Sequence, residues 1–298
     1  MVEPNLLQPF QYEFFIRGII VAILIGGING MLGVYIVLRG MSYIGHGLSH
    51  AVFGGAVVSH MMNINMYIGA TLWGIISSII INEISKRSSI KLDAVIGVIS
   101  TAGFAIGVFL ISTTRSYTRN FEALLFGNIL GITPMDMFII IIISIISFAF
   151  FFFFNKTMLF IMFDKETSRV YGVRTDVIES VFSIILAVVV IASMNAIGVT
   201  LLAAAIVAPA ISARLLTNNF LHMIILSSII GTAAAFAGMY ISFFADSASG
   251  ATIVLFNSGI FVIVSLYALL NKVYHTHIHE GVRHTHAHLH KGDHEHKH

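Results

Sequence analysis

The sequence predicts an all-α polytopic membrane protein, a bundle of eight or nine transmembrane helices. Three observations predict it. Of 298 residues, 57% are hydrophobic and only 10% are charged, against about 25% charged in a soluble domain. Mean hydropathy is +0.92. The apolar residues also fall in runs long enough to cross a bilayer, which takes about 20 residues of helix. This composition excludes a soluble enzyme, a disordered chain and a disulfide scaffold. Cysteine is absent, which excludes thiolate metal sites and redox pairs. A net charge of +2 gives nucleic acid little electrostatic hold.

The runs lie at 14–38, 66–82, 94–111, 137–154, 177–192, 197–213, 221–244 and 251–270. A further stretch, 45–60, is shorter and more polar and is expected inside the bundle. The first residues, Met-Val-Glu-Pro-Asn, carry no basic region, and no cleaved signal is expected. Two domains are expected: a transmembrane domain over 1–272 and a His-rich, disordered tail over 273–298.

Lys and Arg set the orientation. They sit in alternate connections: Arg39; Lys86, Arg87 and Lys91; Lys156, Lys165, Arg169 and Arg174; Arg214; then Lys272 onward. The intervening connections hold only Arg115 and Arg119. The positive-inside rule places the first set, with the 155–176 loop and the C-terminal tail, in the cytoplasm. The side of the N-terminus depends on whether 45–60 spans.

Gly26, Gly27, Gly30, Gly33, Gly54, Gly55 and Ala203–Ala205 are small residues that let membrane helices approach closely. Pro209, the one proline inside a run, removes a backbone donor and frees a carbonyl.

His46 and His50 stand four apart in Gly-His-Gly-Leu-Ser-His. On a helix that spacing puts both on one face, one turn apart. Two neutral imidazoles so placed can share a divalent cation, and ionisable residues inside a membrane usually mark a transport route. The alternative is a pair of histidines bonded to serines or carbonyls. His60 lies about 20 Å further along a continuous helix and cannot join the same ligand shell. Asp246 is either an entrance charge or a solvated loop residue.

The tail from His275 to His298 holds ten of the 14 histidines. They recur as His-x-His: His275, His277 and His279, then His284, His286, His288 and His290. Such tracts bind zinc, copper and nickel. The spacers do not resemble an engineered tag. A weak cytoplasmic metal buffer or sensor is expected.

The segment Val37-Leu-Arg-Gly-Met-Ser-Tyr-Ile-Gly-His-Gly-Leu-Ser-His50-Ala-Val-Phe-Gly-Gly resembles the permease subunit of the metal-uptake ABC transporters for zinc and manganese, the ABC-3 family. Further matches follow in order. Asp93-Ala-Val-Ile-Gly97 and Leu125-Phe-Gly-Asn-Ile-Leu-Gly131 resemble the family's middle. Phe163-Asp-Lys-Glu-Thr-Ser-Arg-Val-Tyr-Gly172 resembles its cytoplasmic coupling segment. Ala196-Ile-Gly-Val-Thr-Leu-Leu with Val207-Ala-Pro-Ala-Ile-Ser-Ala-Arg214 is its most recognisable stretch. Asp246 to Gly250 with Ile253-Val-Leu is its last patch. The resemblance covers roughly residues 10 to 272.

The departures bear on function. The family usually has Asp where this chain has His46, in a pair associated with the metal path. Replacing a carboxylate by a nitrogen donor should favour zinc over manganese. Lys165, Ala248 and Ala251 stand where prolines are common, and Ser168 where alanine is.

The chain has no Gly-x-x-x-x-Gly-Lys-Ser/Thr loop and so cannot cradle ATP itself. The resemblance implies two permeases, a homodimer in a prokaryotic plasma (inner) membrane. Two cytoplasmic ABC ATPases and an external metal-binding protein complete the complex. It also implies that Asp164, Glu166, Ser168 and Gly172 belong to the ATPase docking element. The expected cargo is zinc, with manganese or iron as alternatives. No resident cofactor is expected, and ATP belongs to the partner. One rival is an ATP-independent secondary transporter, which would need carboxylates in its spans to couple protons. Another is an intramembrane metalloenzyme, which would need a base such as the Glu of His-Glu-x-x-His. The apolar runs hold almost no carboxylates, and His-Glu-x-x-His does not occur.

Overall fold

The structure, a computed structural model, describes residues 6–40, 44–88, 90, 92–114, 125–270, 272–279 and 282–289. For some of these, 44–46, 272–279 and 282–289 among them, only the backbone is described. Among the described residues, nine long helices and one short one follow in order. They are α1 (Glu13–Leu38), α2 (Ile44–Met61), α3 (Met66–Arg87), α4 (Leu92–Thr114), α5 (Pro134–Phe163), α6 (Lys165–Val170), α7 (Thr175–Ile197), α8 (Leu202–Leu216), α9 (Phe220–Ala245) and α10 (Ser249–Leu270). Seven are long and apolar enough to cross a membrane. The 15-residue α8 is shorter, about 22 Å at 1.5 Å per residue, and α2 is the more polar stretch expected inside the bundle. The fold class is therefore as the sequence predicts.

Local chemistry sets the boundaries. Thr133 opens α5 with a capping box. Its hydroxyl accepts from the Asp136 amide at 3.2 Å, and the Asp136 carboxylate accepts from the Thr133 amide at 3.1 Å. Pro134 at the first helical position loses nothing by lacking an N–H. Asn219 caps α9, accepting from the His222 amide at 3.1 Å. Asp246 closes α9 in the left-handed region (φ 48°) and is exposed.

The run expected at 197–213 begins five residues later, at Leu202. Gly198 is the reason. At φ 93° it turns the chain where an L residue would be strained, and a Cβ there would lie 2.5 Å from the Phe126 carbonyl carbon.

α1 sits at the centre, against α5, α7, α8 and α9. Its glycines allow this. A Cβ on Gly26 would lie 2.4 Å from the Gly231 carbonyl oxygen of α9, and one on Gly33 would lie 2.1 Å from the Ile206 oxygen of α8. α2 packs against α3 and α4, and also meets α7 and α8. Gly54 approaches Gly103 of α4, and Gly55 approaches Trp73 of α3. α10 covers α8 and α9.

Beyond the bundle, Lys272–His279 (β1) and Val282–Leu289 (β2) pair as an antiparallel ladder, where the sequence reading expects a disordered tail. The local cause is strict alternation. Histidine at every second position gives the segment a period of two, the period of a strand.

Candidate metal path and coupling site

α2 carries the expected ligand pair. From Gly47 to Val57 every residue is buried except His50, which is half-buried. The apolar and glycine positions hold α2 among its neighbours, and His50 is its polar exception. The imidazole of His50 packs on the Phe104 ring of α4, centroids 4.8 Å apart, and Phe104 in turn packs on Phe53 at 5.0 Å. That contact orients the ring. His46 falls in the first turn of α2, four residues earlier, and its side chain lies outside the described residues. Beside His50, the buried Ser49 hydroxyl donates to the Val199 carbonyl at 3.2 Å. Among the described residues, no cluster of three or more His, Asp or Glu could hold a metal ion. His60 sits in the last turn of α2, away from His50, as its spacing predicts.

The Ser49–Val199 bond ties α2 to a junction of three segments. The 125–131 segment crosses the turn after α7. The Asn128 amide donates to the Asn195 carbonyl at 2.9 Å, and the Thr200 hydroxyl donates to the Leu125 carbonyl at 2.7 Å. Gly127 (φ 81°) and Gly198 face each other's backbone, and a Cβ on either would lie 2.5 Å from a carbonyl carbon of the other segment. Gly250 of α10 enters the same place, where a Cβ would lie 2.3 Å from the Ile197 carbonyl oxygen. Thus three of the segments noted in the sequence as separate patches form one backbone junction. Their glycines serve close approach rather than ligand binding.

Sequence reasoning missed Asn29. It is fully buried in α1 and accepts from the Ser193 hydroxyl of α7 at 3.3 Å. Its side-chain amide nitrogen has no partner. A lone Asn inside an apolar run was the available signal, since buried polar groups in a membrane need internal partners. A cavity of about 360 Å³ between α3, α5 and α7 is edged by Asn65, Asp136 and Asn195. It does not include His50.

The expected docking element is α6. Asp164 caps it, accepting from the Thr167 amide at 2.9 Å and from the Thr167 hydroxyl. The Thr167 hydroxyl bond in particular holds the Asp164 carboxyl below the usual carboxylate range. Ser168 is buried, its hydroxyl donating to the Lys165 carbonyl at 2.8 Å. Gly172 turns the chain at φ 81°. Arg169 bonds Glu166 at 3.0 Å and Asp176 at 2.9 Å, and the Asp176 hydrogen bond raises its already high pKa further. Lys165 reaches Glu179 of α7 at 2.5 Å, and Arg39, just past α1, approaches the other Glu179 oxygen at 3.5 Å. Glu179 thereby joins α6, α7 and the chain that leads into α2. Around this charged knot Phe163, Val170 and Tyr171 are 83%, 86% and 76% exposed.

In the tail, His275, His277, His279, His284, His286 and His288 are ladder positions. His290 lies outside the described residues.

The chain's kinship agrees with this geometry. A manganese transport system membrane protein, MntC, of Listeria monocytogenes is 37% identical over 258 residues, 87% of this chain and 92% of that one. A manganese import system permease protein, ScaB, of Streptococcus gordonii is 36% identical over 263 residues, 88% of this chain and 94% of that one. The solved PsaBC from Streptococcus pneumoniae, in complex with a Fab, superposes with a TM-score of 0.79 at 32% identity, covering 87% of this chain and 94% of that one. Residues 11–268 match the ABC 3 transport family, and the chain belongs to that family of transporter permeases.

Proposed function

We propose that this chain is the membrane-spanning subunit of an ATP-driven importer for a divalent transition metal. Two copies form the path, with ABC ATPases on the side of α6 and a metal-binding protein on the opposite side. The tail and the 155–176 loop face the cytoplasm of a prokaryotic plasma membrane. The observation that carries this reading is the half-buried His50 on a buried helix, in a chain related along its length to metal-transport permeases. The exposed Phe163, Val170 and Tyr171 around α6 support ATPase docking there, since exposed apolar residues beside a charged helix suit a protein partner. Zinc is the first choice of cargo, because nitrogen donors at both His46 and His50 suit it better than manganese. Manganese is the second reading, favoured by the names of the relatives.

Metal uptake by cells expressing the complete complex tests this. His50→Ala should lower uptake at least tenfold while the complex still assembles and hydrolyses ATP. Unchanged uptake would refute the path. His46→Asp should move the zinc-to-manganese preference toward manganese, and an unmoved preference removes the argument for zinc. Proton-coupled zinc exchange by the purified chain alone in liposomes would favour the secondary transporter instead.

A further inference from the structure

α3 and α5 both pack against α7, and the cavity of about 360 Å³ lies where the three meet. That volume is in the range of small-molecule sites, about 300–1,000 Å³. Its lining is graded along the helices. On α5, Asp136 stands in the first turn and Ile140 and Ile143 follow below it. On α7, Asn195 stands in the last turn and Ala192, Ile191 and Val188 descend from it. Asn65 immediately precedes α3, and Ile68 follows one turn down. Thr71 is the one polar lining residue below that level. From Asp136 to Ile143, and from Asn195 to Val188, the rise is about 10 Å.

The polar end lies on the side of the bundle away from α6, because α5 starts at Pro134 beside Asp136 and ends at Phe163 beside α6. Half the hydrocarbon core is about 15 Å thick, so a depth of about 10 Å fits within one leaflet. The cavity is closed at its floor and open at its rim. Ile140, Ile191 and Ala192 are buried, Ile143 and Val188 are half-buried, and Ile68 is 55% exposed. An empty cavity would forfeit the dispersion contacts of its walls. Water would find few partners on the apolar floor. An acyl chain from the surrounding leaflet meets both requirements. The polar end selects the headgroup. It holds one carboxylate, Asp136, and no Lys or Arg lines the cavity. An anionic headgroup would meet like charge there, and an ammonium would meet an opposite one.

We propose that this cavity is a lipid site. It takes one acyl chain of a zwitterionic, amine-headed phospholipid from the leaflet away from α6. The chain lies on Ile191 and Ala192, and the ammonium faces Asp136. A lipid held there joins α3 to α5 across α7. The site is separate from the His50 path and does not depend on the import reading.

The test is native mass spectrometry of the full-length purified chain. The chain is stripped of lipid and then offered equal amounts of dioleoyl phosphatidylethanolamine and dioleoyl phosphatidylglycerol. Wild type should retain one lipid per chain, with phosphatidylethanolamine preferred about fivefold or more. Ala192→Phe fills the floor and should lower retention about tenfold. Ile68→Trp, at the exposed rim where folding is not at stake, should lower it in the same direction. Leu255→Phe, on the exposed face of α10, should change it less than twofold. Asp136→Asn should keep the lipid and bring the two headgroups to near parity. Equal retention by Ala192→Phe, Ile68→Trp and Leu255→Phe would overturn the site, as would an amine preference that survives Asp136→Asn. Expulsion of the lipid when two chains associate would give the gap to a second copy and overturn it too.

Discussion

α1 and α10 are nearly matched in mean hydropathy, 2.2 and 2.3, yet 83% of the apolar stretch of α1 is buried and only 17% of that of α10. The difference lies in small residues. Gly26, Gly30 and Gly33 lie on one face of α1 at helical spacing, and each is met by a backbone oxygen of α8 or α9 within 2.4 Å of where its Cβ would stand. α10 presents Leu255, Ile263, Leu266 and Leu270 outward, between 55% and 85% exposed. Hydropathy says that a helix can enter the membrane. Backbone access decides whether it sits at the centre or the edge, because lipid tails are as apolar as leucine and cannot drive the choice.

Breaking that access should have the largest effect. Gly26→Leu places a side chain against Gly231, with backbone on both sides, and should cost about 3 kcal/mol or more. Little monodisperse protein should survive extraction into detergent. Gly259→Leu on α10 meets nothing within 4 Å and should leave yield and thermal midpoint unchanged within error. Comparable losses from the two would mean that glycine contact does not separate the centre from the edge.

The next effect concerns how the centre is tied to the edge. Glu179 accepts from Lys165 of α6 and approaches Arg39 at the end of α1. Glu179→Gln keeps the shape and removes the charge, leaving two cations beside each other with Arg39 only 14% exposed. A cost of about 1–2 kcal/mol is expected, below that of a fully buried pair because Lys165 and Glu179 are partly solvated. Thermal unfolding in detergent reads it. Arg87→Ala removes an i,i+4 partner of Glu83 at an exposed site and should shift the midpoint far less. If the reading of α6 as docking element is right, Glu179→Gln also lowers metal moved per ATP more than it lowers ATP hydrolysis. Equal reductions would reduce Glu179 to a structural role.

The same contrast governs what was legible in the sequence. Runs of apolar residues are a one-dimensional property, so the seven long apolar helices and the inner character of 45–60 could be read directly. His46 and His50 could be paired because a four-residue spacing fixes a helix face. The Gly127–Gly198–Gly250 junction could not, because it joins segments more than 50 residues apart in sequence and only the fold brings them together. Gly198 also moved the start of α8, since an apolar run does not reveal a left-handed turn within it. Asn29 was hidden by its own neighbours: one amide in a 26-residue, largely apolar helix barely changes a hydropathy average. Glu179 was equally invisible, being one acid near the start of an apolar run until the ends of α1 and α6 met on it.

The smallest expected effect is at the periphery, in the cap of α6. The Asp164 carboxyl is held below its ordinary range by the Thr167 hydroxyl and amide, so the folded form favours the ionised state. Such a group stabilises the fold fully at pH above its unfolded value, and that contribution is lost as pH falls through the depressed folded value. The first turn of α6 should therefore keep its cap at neutral pH and loosen in acid, while the glycine contacts of α1, which carry no charge, stay unchanged. Amide exchange reads both in one experiment. Protection at the Thr167 amide should fall as acid is added, after correction for intrinsic exchange, and that of α1 should hold. Asp164→Asn, which can still accept from the Thr167 amide but does not ionise, should keep partial protection and lose the pH dependence. A persistent pH dependence in that variant would shift the cause to Glu166 or Asp176, the other carboxylates bonded to Arg169 in the same knot.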